Sequence, residues 1–455
     1  MELQNIAEEL RLSIRKNGHL PLELRKTRLS ELKKCILNEE AAINKALKED
    51  LGKSIFETYA TEMGFILEEI SHIMGKIDGW AKSRRVGTPI SLFPGRSYIQ
   101  PEPYGVVLIV SPWNYPFQLS LAPFIGAIAA GNRVVLKPSE MAPKTAEILE
   151  KIIKQVFKPD EVRVVQGALP ETQILLQQKW DYLFFTGSTA VGKVMMKAAA
   201  EHLTPVTLEL GGKSPCLIEE TANLDIAAKR CAWGKFVNAG QTCVAPDYVL
   251  VPRKLQDAFI EKMKFHLKVF YGEQPELSDD YPRIINPRHF ERLQNLLISE
   301  KVAIGGKLNA EKKYISPTVL KDVNWKDKVM EEEIFGPILP LIPYDTLDEA
   351  LAMINDRPKP LAFYVFTEDS GKGRNIISRV PFGGGCINDT VIHLANPNLP
   401  FGGVGSSGIG SYHGHQSFET FTHYKSVFHQ GTKVDIPVRY PPYAGKLGIL
   451  KFFLR

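Results

Sequence analysis

Apolar strands alternating with amphipathic helices predict an α/β protein built on a parallel, doubly wound sheet that is buried on both faces. Two observations carry that prediction. Between Val106 and Leu210, short continuous apolar runs recur, each followed by a helical segment. A second alternation begins at Tyr248 and continues to Ile387, so a second α/β unit is expected. A length of 455 residues favours two large units over one small core.

The elements follow in order. Residues 1–80 read as helices, because Leu24, Leu29, Leu32, Cys35 and Ile36 recur at helical spacing with charged faces between them. From Ser91 the character changes. The run from Ser97 to Pro103 reads as extended, since each proline biases its predecessor away from helix. Val106 to Val110 is an apolar strand, Pro116 to Ala130 a helix closed by Gly131, Arg133 to Leu136 a strand, and Thr145 to Phe157 an amphipathic helix. Strands are expected from Val162 to Val165, Tyr182 to Phe185 and Val206 to Leu210, with helices over 171–178 and 189–202 between them. Beyond Cys243, Tyr248 to Val251 reads as strand and Leu255 to Phe270 as helix, with shorter units through Ile387. Pro400 to Gly410, PFGGVGSSGIG, reads as glycine-rich loop.

Composition narrows the function. Hydrophobic residues at 44% and charged residues at 24% suit a soluble globular enzyme. A net charge of +5, with both signs spread along the chain, is too mild for a nucleic-acid partner. Five widely spaced cysteines without a Cys-x-x-Cys pair fit a reducing compartment and argue against a disulfide framework or structural zinc. The ten histidines show no ligand spacing, and His413 and His415 read as loop histidines, so no metal is expected. The first residues form a charged amphipathic helix without an apolar signal core, and the apolar stretch from Leu119 to Ala130 is interrupted by Pro123. A spanning helix needs roughly 20 residues, so no transmembrane anchor and a cytoplasmic location are expected. Near the C-terminus, Leu447, Ile449, Leu450, Phe452 and Phe453 are expected to pack on the protein or on a dimer partner. Weak peripheral membrane association is the alternative, since Lys446, Lys451 and Arg455 flank them.

Cys243, at the end of Gly240-Gln241-Thr242-Cys243, would alone read as a small buried hydrophobe. Glu209 changes that reading, standing near a strand end before Gly211 and Gly212. A thiol and a carboxylate together suit formation of a thioester and its hydrolysis by base-activated water. Phe185 to Gly192, FTGSTAVG, follows a strand and opens a helix, where glycine admits a phosphate and free N–H groups favour an anion. It is not the G-x-G-x-x-G fingerprint, and a plain strand-to-helix turn stays equally open. Lys137 and Glu140 of Lys137-Pro138-Ser139-Glu140 suit ribose hydroxyls, or are solvated loop charges. Asn114 lies between Pro112 and Pro116, where a fixed amide suits a developing oxyanion, or is a turn asparagine. Asn114, Lys137, Gly187 and Glu209 all fall at expected strand ends, which one crevice of a doubly wound sheet gathers.

Together the PWN, KPSE, FTGST, LELGGKSP, GQTC, EIFGP (Glu333 to Pro337) and PFGGVGSSGIG segments, in that order over nearly the whole chain, resemble the aldehyde dehydrogenase superfamily. The short N-terminus and the GSYHG and SFETF segments are most similar to its class 3 and fatty aldehyde dehydrogenase group. The resemblance implies a Rossmann-like cofactor domain over 1–84 and 104–209 and a catalytic domain over 210–418. It also implies bridging and oligomerisation segments at 85–103 and 419–455, and a homodimer. The implied reaction is oxidation of an aldehyde to the acid with NAD, or with NADP. Cys243 would be the nucleophile, Asn114 and the Cys243 backbone N–H the oxyanion hole, and Glu209 the base for deacylation. Lys137 and Glu140 match adenosine-ribose contacts, and Gly187, Ser188 and Gly192 the pyrophosphate turn. Glu333 is similar to the nicotinamide-ribose contact, with Phe335 packing nearby. A Glu140 carboxylate facing a 2′-OH would favour NAD. Tyr115 and Trp233 are channel aromatics or equally good core residues. The alternatives are a CoA-acylating, phosphorylating or semialdehyde dehydrogenase on the same fold, a cysteine hydrolase, or a non-catalytic descendant. Glu209 speaks for hydrolysis, and a scaffold has no use for Cys243, Glu209 and Asn114 together.

Overall fold

Five apolar runs between Val106 and Leu210 become parallel strands of one sheet in the computed structural model, which describes residues 3–453. Across this sheet the order is Gly408–Ile409, Val206–Leu210, Tyr182–Gly187, Val106–Val110, Arg133–Lys137 and Val162–Val164. Every residue of Val106–Val110 and Arg133–Lys137 is buried, as coverage on both faces requires. From Val106–Val110 the chain builds outward in one direction, then returns to add Tyr182–Gly187 and Val206–Leu210 on the other side. The order therefore reverses beside Val110, which pairs with Lys137 on one flank and Phe185 on the other. Crevices at such reversals, outside the carboxyl ends of the strands, are where doubly wound sheets bind ligands.

The helices between these strands end within two residues of their expected limits, the usual uncertainty of frayed termini. Gln118–Ala130 is buried at every residue and ends at Gly131, whose φ of 101° a side chain would resist. Pro143–Val156 buries Ile148, Leu149, Ile152 and Ile153 as one apolar stripe. The Pro400 to Gly410 segment is not loop throughout: Gly408–Ile409 pairs antiparallel with the Glu209 strand, Gly408 opposite Glu209. Two residues flanked by glycine carry no periodicity, so only the neighbouring strand defines them.

A second sheet of seven strands has the order Val302–Ile304, Thr318–Leu320, Ile338–Tyr344, Tyr248–Pro252, Pro215–Ile218, Ala362–Phe366 and Gly384–Ile387. Its pairings are parallel except at Val302–Ile304. A third, antiparallel sheet joins Arg84–Val86, Arg96–Pro103 and Thr422–His429, the two regions expected to bridge. Val86, Tyr424 and Phe428 on it are exposed. The last helix, Leu447–Phe453, leaves Leu447, Ile449 and Leu450 exposed, so they do not pack on their own chain as one expectation had it. Arg455 and the Phe453 side chain, part of the same expectation, lie outside the described residues. Among the described residues, no helix is long and apolar enough to cross a membrane.

The N-terminal helices meet the first sheet through one irregular turn. Ile55–Thr58 is followed by a π-helical turn, Tyr59–Met63, a widening often found at functional sites. The turn brings Glu62 to Lys53 in an ion pair of 2.5 Å whose side chains are both fully buried. The second Glu62 oxygen accepts the N–H groups of Phe117 and Gln118 at 3.0 Å each, satisfying free donors where Gln118–Ala130 begins. Lys53 Nζ also lies 3.4 Å from the Asn114 carbonyl oxygen and 4.0 Å from the Tyr115 ring centre. Lys53→Met leaves a buried carboxylate without its cation and is expected to lower stability by about 3–5 kcal/mol in equilibrium denaturation. A loss in the range of an exposed pair, below about 1 kcal/mol, would show that the backbone donors alone satisfy Glu62.

Candidate active site

The chain reaches Cys243 through three consecutive left-handed residues, Asn238 at φ 51°, Ala239 at 51° and Gly240 at 73°. Two of them carry side chains, so the surroundings must hold the turn. Asn238 Nδ2 donates to the carbonyl oxygens of Asn114 at 2.7 Å and Gln241 at 3.1 Å, and the Asn238 N–H donates to Glu57 Oε1 at 2.9 Å. Gln241 Nε2 donates to the Asn238 and Arg283 carbonyls, and its Oε1 accepts the Ile285 N–H, each at 3.0 Å. Glycine is required at 240, where a Cβ would stand 2.3 Å from the Gly336 carbonyl oxygen. Asn114 Nδ2 donates to the Gln241 carbonyl at 3.0 Å, which uses one of its two amide hydrogens. Thr242 Oγ1 and the Tyr115 hydroxyl share a hydrogen bond of 2.6 Å.

Cys243 stands where two cavities meet. The larger, about 690 Å³, is lined by Asn114, Gly187, Ser188, Glu209, Glu333 and Phe335 as well as Cys243. The smaller, about 190 Å³, is walled by Tyr115, Leu119, Trp233, Val237 and Phe401, with Cys243 again at its edge. Tyr115 is buried, whereas Trp233 is 40% exposed, which puts it toward solvent. Lys137, Glu140 and Gly192 stand outside both cavities. Lys137 is the buried last residue of its strand and donates to Glu140 Oε2 at 3.2 Å. At Gly192 a Cβ would come within 2.6 Å of Leu210 Cδ2, so this glycine lets the Thr189–Ala200 helix lie close to the Val206–Leu210 strand.

Dryness governs the electrostatics. Glu209 is buried with neither carboxylate oxygen hydrogen-bonded among the described residues, and burial holds its pKa well above the usual carboxylate range. Burial, then the negative charges of Glu333 and Glu209, push the Cys243 thiol up to about 12, against the pull of the Cys243 and Val244 N–H groups. Glu333 is pushed up to about 8 by burial and by Asp247, opposed by the Gly212 N–H, Lys213 and Lys235. The Glu333 loop is fastened at Asp247, which accepts from Lys213 Nζ at 2.6 Å and from the Ile334 N–H at 3.1 Å. Lys213 also donates to the Val329 and Glu332 carbonyls, at 3.0 and 2.8 Å. A Cβ at Gly211 would meet Glu333 Oε2 at 2.0 Å, so this glycine makes room for that carboxylate.

The larger cavity suits an elongated, phosphate-bearing cofactor. Gly187 and Ser188 open the Thr189–Ala200 helix at its wall, where unpaired N–H groups and the helix dipole favour an anion. Its volume falls within the range of cofactor pockets. Sequence reasoning passed over Lys53, Glu57, Glu62 and Asp247, which hold the loops from behind. Asp247 lies outside GKSIFETYATEMG, and the three charged residues of that segment are no denser than the chain's average of 24%, so composition gives no signal for any of the four.

The Aldehyde dehydrogenase family model matches residues 4–427. The chain belongs to the aldehyde dehydrogenase family. It is 49% identical over 436 residues to the 4,4'-diaponeurosporen-aldehyde dehydrogenase of Staphylococcus aureus, covering 95% of each chain. With mouse Aldehyde dehydrogenase family 3 member A2 the identity is 46% over 98% of this chain and 93% of the relative. The mouse dimeric NADP-preferring aldehyde dehydrogenase is 47% identical over 94% and 95% of the two chains. Among solved structures, the substrate-bound state of Staphylococcus aureus AldH superposes with a TM-score of 0.98 at 46% identity over 100% of both chains. A Mycobacterium tuberculosis aldehyde dehydrogenase complexed with NAD+ gives 0.85 at 29% identity, covering 94% of this chain and 90% of that one. The protein therefore has the aldehyde dehydrogenase fold, is an enzyme of aldehyde oxidation, and belongs to a family that uses NAD(P).

Two measurements probe this site in the aldehyde dehydrogenase. Gly240→Ala displaces the Gly336 carbonyl and is expected to lower turnover by about 10², the scale of an ångström's misplacement of reacting groups, while cofactor titration stays near normal. In the cofactor-free enzyme, alkylation of Cys243 by iodoacetamide, followed by peptide mass spectrometry, should keep rising with pH through the ordinary cysteine value of about 8.5. Levelling off near neutrality would mean the thiol is already ionised.

Proposed function

We propose that the chain oxidises an aldehyde to its acid through a thioester on Cys243, with Asn114 and the Cys243 backbone N–H as the oxyanion hole and Glu209 as the base for deacylation. The observation that carries this reading is that Cys243, Asn114 and Glu209 line one cofactor-sized cavity, while Cys243 also borders a smaller apolar one. The sulfur attacks the aldehyde carbon from the floor of both spaces. Negative charge then grows on the carbonyl oxygen, where the second Asn114 amide hydrogen is available as donor. A thiol of high pKa must lose its proton as it attacks, and buried carboxylates with raised proton affinity suit its acceptance. The residues lining the larger cavity would hold a nicotinamide, which would supply the hydride acceptor for this oxidation. Glu209, free of competing protein hydrogen bonds, is suited to draw a proton from the water that releases the acid.

Gly187 and Ser188 hold the pyrophosphate in this reading, and Glu333 and Phe335 the nicotinamide end. Lys137 and Glu140 are assigned the adenosine ribose, reached just outside the cavity wall. NAD is preferred and NADP also used, because the Glu140 carboxylate would repel a 2′-phosphate while Lys137 offsets it. The first sheet with its helices, 1–84 and 104–209, forms the cofactor domain, and 210–418 the catalytic domain. Segments 85–103 and 419–455 build a homodimer through the exposed third sheet, a reading that the dimeric relative supports. The location is cytoplasmic, with peripheral membrane contact through Leu447, Ile449 and Leu450 as its competitor. The apolar walls of the smaller cavity favour a hydrocarbon substituent on the aldehyde.

NADH formation from an aldehyde without CoA tests the reaction, and a strict need for CoA would overturn it. Cys243→Ala is expected to abolish oxidation while leaving cofactor binding intact. Glu209→Gln should still yield NADH in a first turnover under rapid mixing, then cycle slower by about 10²–10⁴. Asn114→Ala should slow the chemical step by roughly 10²–10³ with cofactor affinity near normal. Efficiency with NADP equal to or above that with NAD would remove Glu140 from the ribose.

A further inference from the structure

Glu57 lines neither cavity, yet it holds the turn that leads to the nucleophile. Its carboxylate is buried, and Oε1 accepts the Asn238 N–H at 2.9 Å. Asn238 is the first of the three left-handed residues, and its Nδ2 spans the Asn114 and Gln241 carbonyls. The Gln241 carbonyl in turn receives the Asn114 side chain at 3.0 Å. One carboxylate thus stands behind a chain of hydrogen bonds that runs to the Gln241 carbonyl, two residues before Cys243, and to the Asn114 amide that donates to it. Burying a carboxylate is costly when an apolar residue would fill the same space, so its retention calls for an acceptor role. Lys53, Glu62 and Asp280 are the charged groups that act on it, and burial pushes it up to about 7. The same helical turn supplies Ala60 and Thr61 to the wall of the apolar cavity, so the turn that carries Glu57 also borders the aldehyde's space.

We propose that Glu57 is a positioning residue for aldehyde addition: through the Asn238 N–H it holds the left-handed turn at 238–240 and thereby sets the Asn114 amide against Cys243. The proposal rests on Asn114 being the oxyanion donor. Without the acceptor at 57, Asn238 and Ala239 relax toward right-handed backbone, and the Gln241 carbonyl and the Asn114 side chain move with them.

The test uses the full-length enzyme with its cofactor and an aldehyde, reading first-turnover NADH formation, cofactor affinity and melting temperature. Glu57→Leu is expected to slow the first turnover by about 10- to 100-fold with cofactor affinity unchanged. Glu57→Gln, whose carbonyl oxygen still accepts the N–H, restores most of the rate. Ala239→Gly, added to Glu57→Leu, also recovers rate, because glycine occupies positive φ without strain. Added to Asn114→Ala, Glu57→Leu costs little more, since both act through one group. Glu57→Asp, which withdraws the acceptor by one methylene, carries the same test if the leucine variant does not fold. A first turnover at the wild-type rate in Glu57→Leu or Glu57→Asp, beside an impaired Asn114→Ala, overturns the proposal and leaves the oxyanion reading standing. Fully additive losses overturn it as well. An unimpaired Asn114→Ala overturns the oxyanion reading itself, and the proposal with it.

Discussion

The fully buried pair of Lys53 and Glu62 is the constraint on which the site depends. Neither partner tolerates loss of the other when both are buried, so the segment that carries them, from the loop at Lys53 to the π-helical turn at Glu62, must dock in one register. That register brings two backbone donors of the Gln118–Ala130 helix onto Glu62, and the Asn114 carbonyl and Tyr115 ring against Lys53. The loop bearing Asn114 is therefore held by two charged residues, Lys53 and Glu62, that line neither cavity. Such pairs add little stability compared with a well-packed apolar pair; what they provide here is a single arrangement.

The left-handed approach to Cys243 belongs to the same logic. Positive φ at Asn238 and Ala239 stores strain that only dense surrounding bonds can hold, and those bonds come from Glu57, Asn114 and Gln241. Water exclusion then acts on every acidic group at once. Glu209, Glu333 and the Cys243 thiol are all shifted toward their protonated forms by burial. Burial thus raises the proton affinity of each of these three groups, which suits a site where protons change hands during the reaction.

The sequence disclosed the strands because both faces of the sheets are covered, which leaves continuous apolar runs such as Val106 to Val110. It pointed to Cys243 and Glu209, both on the wall of the larger cavity, because close packing demands a glycine near each, Gly240 before Cys243 and Gly211 after Glu209. It did not disclose Lys53, Glu57 or Glu62. Between helical apolar residues a charged side chain reads as solvated face, and periodicity cannot tell that the face is turned inward. The Gly408–Ile409 strand was hidden because its conformation is set by the Glu209 strand. Lys137, Glu140 and Gly192 do not line the cavities; within the protein Lys137 is tied to Glu140, and Gly192 packs on Leu210.

Cys243 sits at the seam between two spaces, with Leu119 as the other residue bordering both. A molecule in the apolar space reaches the sulfur without crossing the room that serves Gly187 and Glu333. Traffic on one side need not wait for traffic on the other. On the proposed reading the acid leaves on the Trp233 side, so the sulfur acts as a threshold between two antechambers rather than the end of one corridor.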